Sequence, residues 1–217
     1  MTAPRRAAPD DPLEPLRTRG WLTEARRKAV HLAFVVLPLD LLYEPLPWPR
    51  GKREWRVLLI VACLIALTID LLRIHEHRVK RFFREFFGKL IREHEQFSLM
   101  GSTYLLLASL LAIEIFPREV AAAAIGFTVL GDAFAAMVGK AWGRHRFFRK
   151  TLEGALGGLV ACVVWAALLA GSGHLPWGVA MAGAAAASLV ELLPIPLDDN
   201  LGMTLVSGYA MKLLGNP

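Results

Sequence analysis

From residue 29 onward the chain keeps returning to apolar runs, and only short charged or proline-bearing stretches separate them. Runs at 29–47, 57–74, 99–116, 119–140, 154–172, 176–193 and 200–215 each read as a helix. About 20 apolar residues are needed to span the roughly 30 Å of bilayer hydrocarbon. In lipid every backbone polar group must find its partner inside the protein, so runs of this kind fold as helices. The expected fold is all-α, a polytopic bundle of about seven transmembrane helices. Several runs sit near the short limit, which implies tilt or broken helices. The first is interrupted by Pro38, Asp40 and Glu44.

Composition agrees: 55% of the residues are hydrophobic, too many for an ordinary soluble domain of this length. Residues 1–28 are polar and rich in Pro, Arg and Asp, and read as a disordered tail ahead of one integral-membrane domain over 29–217. The first apolar run carries no small-residue cleavage pattern, so no cleaved leader is expected. Cys63 and Cys162 lie within apolar runs and form neither a CxxC pair nor a disulfide framework.

Lys and Arg set the orientation. With the N-terminus in the cytoplasm, 19 of the 25 basic residues fall on the cytoplasmic side and 6 on the other, which puts the C-terminus outside. This distribution also accounts for the net charge of +6. No nucleic-acid-binding motif is present, and nothing in the sequence bears on oligomeric state. Between the second and third runs, residues 75–97 place Val79, Phe82, Phe83, Phe86, Phe87, Leu90 and Ile91 on one helical face against Arg78, Arg81, Arg84, Glu85 and Arg92. That pattern predicts one interfacial amphipathic helix on the cytoplasmic leaflet.

Ionisable residues inside apolar spans are costly and mark function by default. In this topology His31, Asp70, Thr103, Asp132, Glu191, Asp198, Asp199 and Asn200 all fall toward the cytoplasmic ends of their spans. Such convergence predicts a site on that face, and it disfavours a transport path, which needs polar groups near the midplane and on both sides. Asp132, Ala135, Ala136, Gly139 and Gly143 share one helical face, a carboxylate followed by small residues that admit a ligand or a neighbouring backbone. A basic loop with Arg144 follows, and Lys150-Thr151-Leu152-Glu153-Gly154 opens the next helix. A helix N-terminus favours phosphate, although Thr151 and Glu153 also suit simple capping. Basic groups for phosphate oxygens, together with carboxylates for Mg²⁺, match nucleotide-dependent phosphoryl transfer. Neither a Walker A motif nor GxGxxG occurs.

The ordered set "GDAFAAMVGKAWGRHRFFRKTLEGALGG", then "VELLPIPLDDNL", with "RKAVH" at 27–31, resembles the membrane lipid kinases that comprise dolichol kinase, phytol kinase and the CTP-dependent diacylglycerol kinases. The resemblance covers roughly residues 25–215 and is dense only after 130. It implies an enzyme that phosphorylates a lipid alcohol (a polyprenol, a phytol-like alcohol or diacylglycerol) from CTP with Mg²⁺ at the cytoplasmic face. It also implies the roles. Gly139, Gly143, Arg144, Lys150, Thr151 and Gly154 would form the nucleotide site. Asp132, Lys150, Glu153 and Asp199 would be catalytic, with Asp132, Asp198 and Asp199 at the metal. His31, Thr103, Glu191 and Asn200 would face the acceptor. The Ser that the family pattern carries after Glu-Gly is Ala155 here. A CDP-lipid-forming cytidylyltransferase remains the alternative, with a small transporter behind it.

Overall fold

Ala121 to Ala124 would be unremarkable in a soluble helix, but here the whole run from Val120 to Val129 is buried. Small side chains let other helices close in on all sides of this segment. The computed structural model describes residues 27–87, 98–148 and 150–215. Its elements are α1 (Val36–Tyr43), α2 (Gly51–His75), α3 (His77–Phe87), α4 (Gly101–Ile115), α5 (Arg118–Trp142), α6 (Leu152–Gly171), α7 (Trp177–Leu192) and α8 (Asp199–Gly215). Two short strands, β1 (Arg146–Phe147) and β2 (Lys150–Thr151), pair antiparallel, with Phe147 opposite Lys150. Helix α5 is the axis of the bundle and packs against α1, α4, α6, α7 and α8. The core cluster follows it, with Phe127, Ile125 and Val129 fully enclosed.

Helix α2 packs mainly on α4 and leaves Val57, Ile60, Val61, Leu64 and Ile65 exposed. Helix α6 likewise exposes Leu156, Val160, Val164 and Leu168. Apolar faces of this extent suit lipid rather than water. The chain is therefore mostly helical, as expected. Among the described residues three helices, α2, α5 and α6, are long and apolar enough to cross a membrane. Helices α4 and α7 are apolar but shorter. The first expected span is broken: residues 27–33 are helical, a turn follows at 34–35, and α1 stops at Tyr43. The basic loop holds a β-hairpin where no strand was expected. Of the amphipathic segment, residues 77–87 are helical, with Phe82 exposed, and 88–97 lie outside the described residues, as do residues 1–26 of the expected tail.

Buried polar ties fix both ends of the bundle. At one end the Asp40 carboxylate accepts from Trp55 Nε1 at 2.7 Å and from the Leu46 amide at 3.0 Å. At the other, Asp70 Oδ2 accepts from the Thr103 hydroxyl at 2.7 Å and the Met100 amide at 2.9 Å, while its Oδ1 pairs with Arg73 at 2.8 Å. Arg73 also donates to Ser98 O at 2.8 Å. This second tie joins the C-terminal end of α2 to the start of α4, and Gly101 of α4 in turn accepts from Asn200 Nδ2 at 3.2 Å. The start of α8 is positioned through that contact.

Candidate active site

Four chain segments meet at the end of the bundle where α5 and α7 finish and α6 and α8 begin. Residues 27–31 lie over the same place. Between these segments is a cavity of ≈ 860 Å³. Asp132, Ala135, Ala136 and Gly139 from α5 form one wall, as the helical spacing predicts. Lys150, Thr151, Gly154 and Ala155 enter from the hairpin and the start of α6, and Glu191, Asp198 and Asp199 from the α7–α8 junction.

The floor depends on close approach. Thr151 caps α6, its hydroxyl accepting from the Gly154 amide at 3.1 Å. A Cβ on Gly154 would stand 2.8 Å from Ala135 O and 3.1 Å from Gly139 Cα, so the α5 and α6 backbones touch here. Gly154→Ala should therefore lower stability by about 1–3 kcal/mol, because backbone cannot step aside as a flexible side chain can. A thermal melt in detergent checks this; an unchanged midpoint would mean that the helices separate without cost.

Electrostatics organise the rest. Lys150 Nζ lies 3.0 Å from Glu191 Oε2 and 3.0 Å from Asp199 Oδ2, so one ammonium joins three elements. Burial disfavours the ammonium, but Glu191 and Asp199 outweigh it and hold the Lys150 pKa above its ordinary value. Asp132 is paired with Lys28, whose side chain is almost fully enclosed, and His31 Nε2 lies 3.5 Å from the same carboxylate. Asp198 accepts from the Asn200 amide at 3.0 Å and from Asn200 Nδ2 at 3.1 Å. Burial raises the Asp198 pKa, with the Asn200 bonds pulling the other way. Arg27 and Lys140 add positive charge to the cavity wall.

The structure thus gathers Asp132, Gly139, Lys150, Thr151, Gly154, Glu191, Asp198 and Asp199 around one cavity, with His31 and Asn200 directly behind two of them. Gly143 stands outside the cavity lining and closes α5 against Thr151: a Cβ there would meet Thr151 Cγ2 at 2.7 Å. Three expected site residues are placed elsewhere. The Thr103 hydroxyl is committed to Asp70. Arg144 is exposed and does not line the cavity. Glu153 does not reach Lys150; its carboxylate accepts from the His145 amide at 3.2 Å and contacts the ring Nδ1 at 2.7 Å, which closes the base of the hairpin. Lys140, Phe148 and the segment 192–197 also line the cavity; they fall within the two quoted stretches, but no role was expected of them. Among the described residues no three His, Cys, Asp or Glu side chains gather as a ready-made metal cluster. Magnesium rarely needs one, since it commonly binds one or two carboxylates together with substrate phosphates.

Comparison with known proteins gives a consistent picture. Residues 21–194 match the model of the cytidylyltransferase family. The CTP-dependent diacylglycerol kinase 1 of Schizosaccharomyces pombe (strain 972 / ATCC 24843) is 27% identical over 165 residues, covering 69% of this chain and 76% of that protein. An uncharacterised protein of Rickettsia prowazekii (strain Madrid E) is 26% identical over 127 residues, 57% of this chain. The match spans 59% of the Rickettsia protein's length. No solved structure matches.

Proposed function

The chain belongs to the cytidylyltransferase family, and from that premise we propose that it is a membrane lipid kinase. It transfers the γ-phosphoryl group of CTP to the hydroxyl of a lipid alcohol at the cytoplasmic face, with the N-terminus inside and the C-terminus outside. One observation carries this reading: Lys150, on a hairpin at a helix N-terminus, faces two carboxylates across a cavity whose far wall is Asp132 and small residues. The likeness to a protein named as a CTP-dependent diacylglycerol kinase supports both the donor and the reaction class.

Phosphoryl transfer asks the protein mainly for positioning and charge. Lys150, with Arg27 and Lys140, neutralises the donor phosphates, and the small residues Gly139 and Gly154 leave room for them. Asp132 would hold Mg²⁺, which would supply charge stabilisation when bound together with the nucleotide phosphates. The acceptor oxygen forms a bond to the γ-phosphorus as the bond to the β–γ bridging oxygen breaks, and CDP leaves. The hydroxyl proton passes to Asp199, whose side chain is 40% exposed. Asp132 sits against the enclosed Lys28. Glu191 and Asn200 place the acceptor, Glu191 through Lys150 and Asn200 through Asp198.

Purified protein with Mg²⁺, γ-labelled CTP or ATP and a panel of lipid alcohols should yield labelled lipid phosphate. Asp132→Ala should abolish the label while the protein still elutes as a folded species. The family description favours one competitor, transfer of the cytidylyl group. Pyrophosphate release with CDP-lipid formation from phosphatidate, in place of labelled lipid, would establish that reaction instead.

A further inference from the structure

Leu193, Pro194, Ile195, Pro196 and Leu197 are five consecutive apolar residues, all exposed and all lining the cavity. Leu193, Ile195 and Leu197 are 39%, 41% and 45% exposed. The two prolines hold the residues before them extended and remove two backbone donors, so the strap is stiff and presents little but hydrocarbon. It begins one residue after Leu192, at the end of α7, and runs into Asp198 and Asp199. The Lys150–Glu191–Asp199 cluster therefore stands at its base.

Phe148 lines the same cavity from the hairpin turn and is 66% exposed. Its φ is 52°, the left-handed region. Two-residue hairpin turns demand such angles and fill them with Asn, Asp or Gly, whereas a bulky aromatic there is strained. Local strain of this kind persists where a side chain has a task. The hairpin thus carries a residue that its own backbone disfavours, placed in the cavity mouth.

Together these features make an amphipathic opening, charged at the base and apolar along the strap and Phe148. We infer that this strap and Phe148 form the subsite for the hydrocarbon tail of the acceptor, with the acceptor hydroxyl reaching the Lys150 cluster. The inference rests on the lipid-kinase reading and adds where the substrate's apolar part lies. A long acyl or isoprenoid chain fits better than a nucleobase. Five successive apolar residues offer a long aliphatic surface, and the strap has no side-chain donor or acceptor with which to read a base edge.

The test separates the two readings. Wild-type protein is first assayed with long-chain and short-chain alcohols. Leu193→Ser/Ile195→Ser should raise KM for the long-chain alcohol by about tenfold or more, as expected when buried aliphatic contacts are lost, while KM for CTP stays put. Phe148→Gly should show the same pattern and melt no lower than wild type, because glycine relieves the turn. A rise in KM for CTP instead would assign the strap to the base, and unchanged KM values for both substrates would overturn the subsite. If wild type labels no alcohol at all, the kinase reading falls. The subsite is then judged by irradiating wild type with a long-chain alcohol bearing a tail diazirine. Adducts at Phe148 and residues 193–197 support it, and adducts confined to the outer faces of α2 and α6 refute it.

Discussion

Lys150→Met should lower kcat/KM for lipid phosphorylation by about 10²–10³-fold, the scale on which a single preorganised charge or donor acts on a transition state. In the resting protein the ammonium is shared by Glu191 and Asp199, each at 3.0 Å. Removing it has two effects. The donor phosphates lose their nearest cation, and two carboxylates are left facing each other across the space the phosphates must enter. Binding should weaken along with turnover, so both KM for CTP and kcat should move. Lys150→Arg restores charge but not shape, since a planar fork does not replace a compact ammonium between two carboxylates. Partial recovery is expected there. Full activity in Lys150→Met under steady-state assay would remove the residue from the mechanism.

The second large effect is on folding. Arg73→Met should destabilise the protein by about 3–5 kcal/mol, the usual result of stranding one member of a buried ion pair. Asp70 is fully buried and Arg73 is 2% exposed. Without the guanidinium, one carboxylate oxygen has no counter-charge, and Ser98 O loses its donor. Replacing both partners, as Asp70→Leu with Arg73→Met, removes the stranded charge and should recover most of the loss, apart from the bonds to Thr103 and Met100. Unfolding in detergent monitored by circular dichroism measures each variant. Equal midpoints for the single and double replacements would show that the stranded Asp70 charge is not what costs stability.

Much of this was legible from local rules. The helical period placed Asp132, Ala135, Ala136 and Gly139 on one face, and that face lines the cavity. The expectation that polar residues gather at one end of the spans brought Glu191, Asp198 and Asp199 into view, because sidedness follows from charge distribution along the chain. The resemblance to membrane lipid kinases is borne out by the family and by the yeast relative. What escaped depends on contacts between distant segments. Lys28 was legible as part of "RKAVH", but its pairing with Asp132, 104 positions away, was not. The hairpin went unseen because Phe148 occupies a turn position that usually announces itself with Asn or Gly. Without the hairpin, nothing brings His145 back to Glu153, so Glu153 was expected among the catalytic residues instead. The break in the first run was also hidden, because a turn at residues 34–35 divides what hydropathy reads as continuous.

The contact of α5 and α6 at Gly139 and Gly154 has a bearing on how such proteins diversify. Two backbones that touch leave no slack, so this wall of the cavity tolerates little change. The strap and the hairpin tip hang outside that contact, and their side chains can be exchanged without shifting it. On the proposed function, descendants of one ancestor would acquire different acceptors by altering a handful of rim positions while the α5–α6 contact stays intact. Divergence in this lineage is expected to be fastest at 148 and 193–197 and slowest where the two glycines meet.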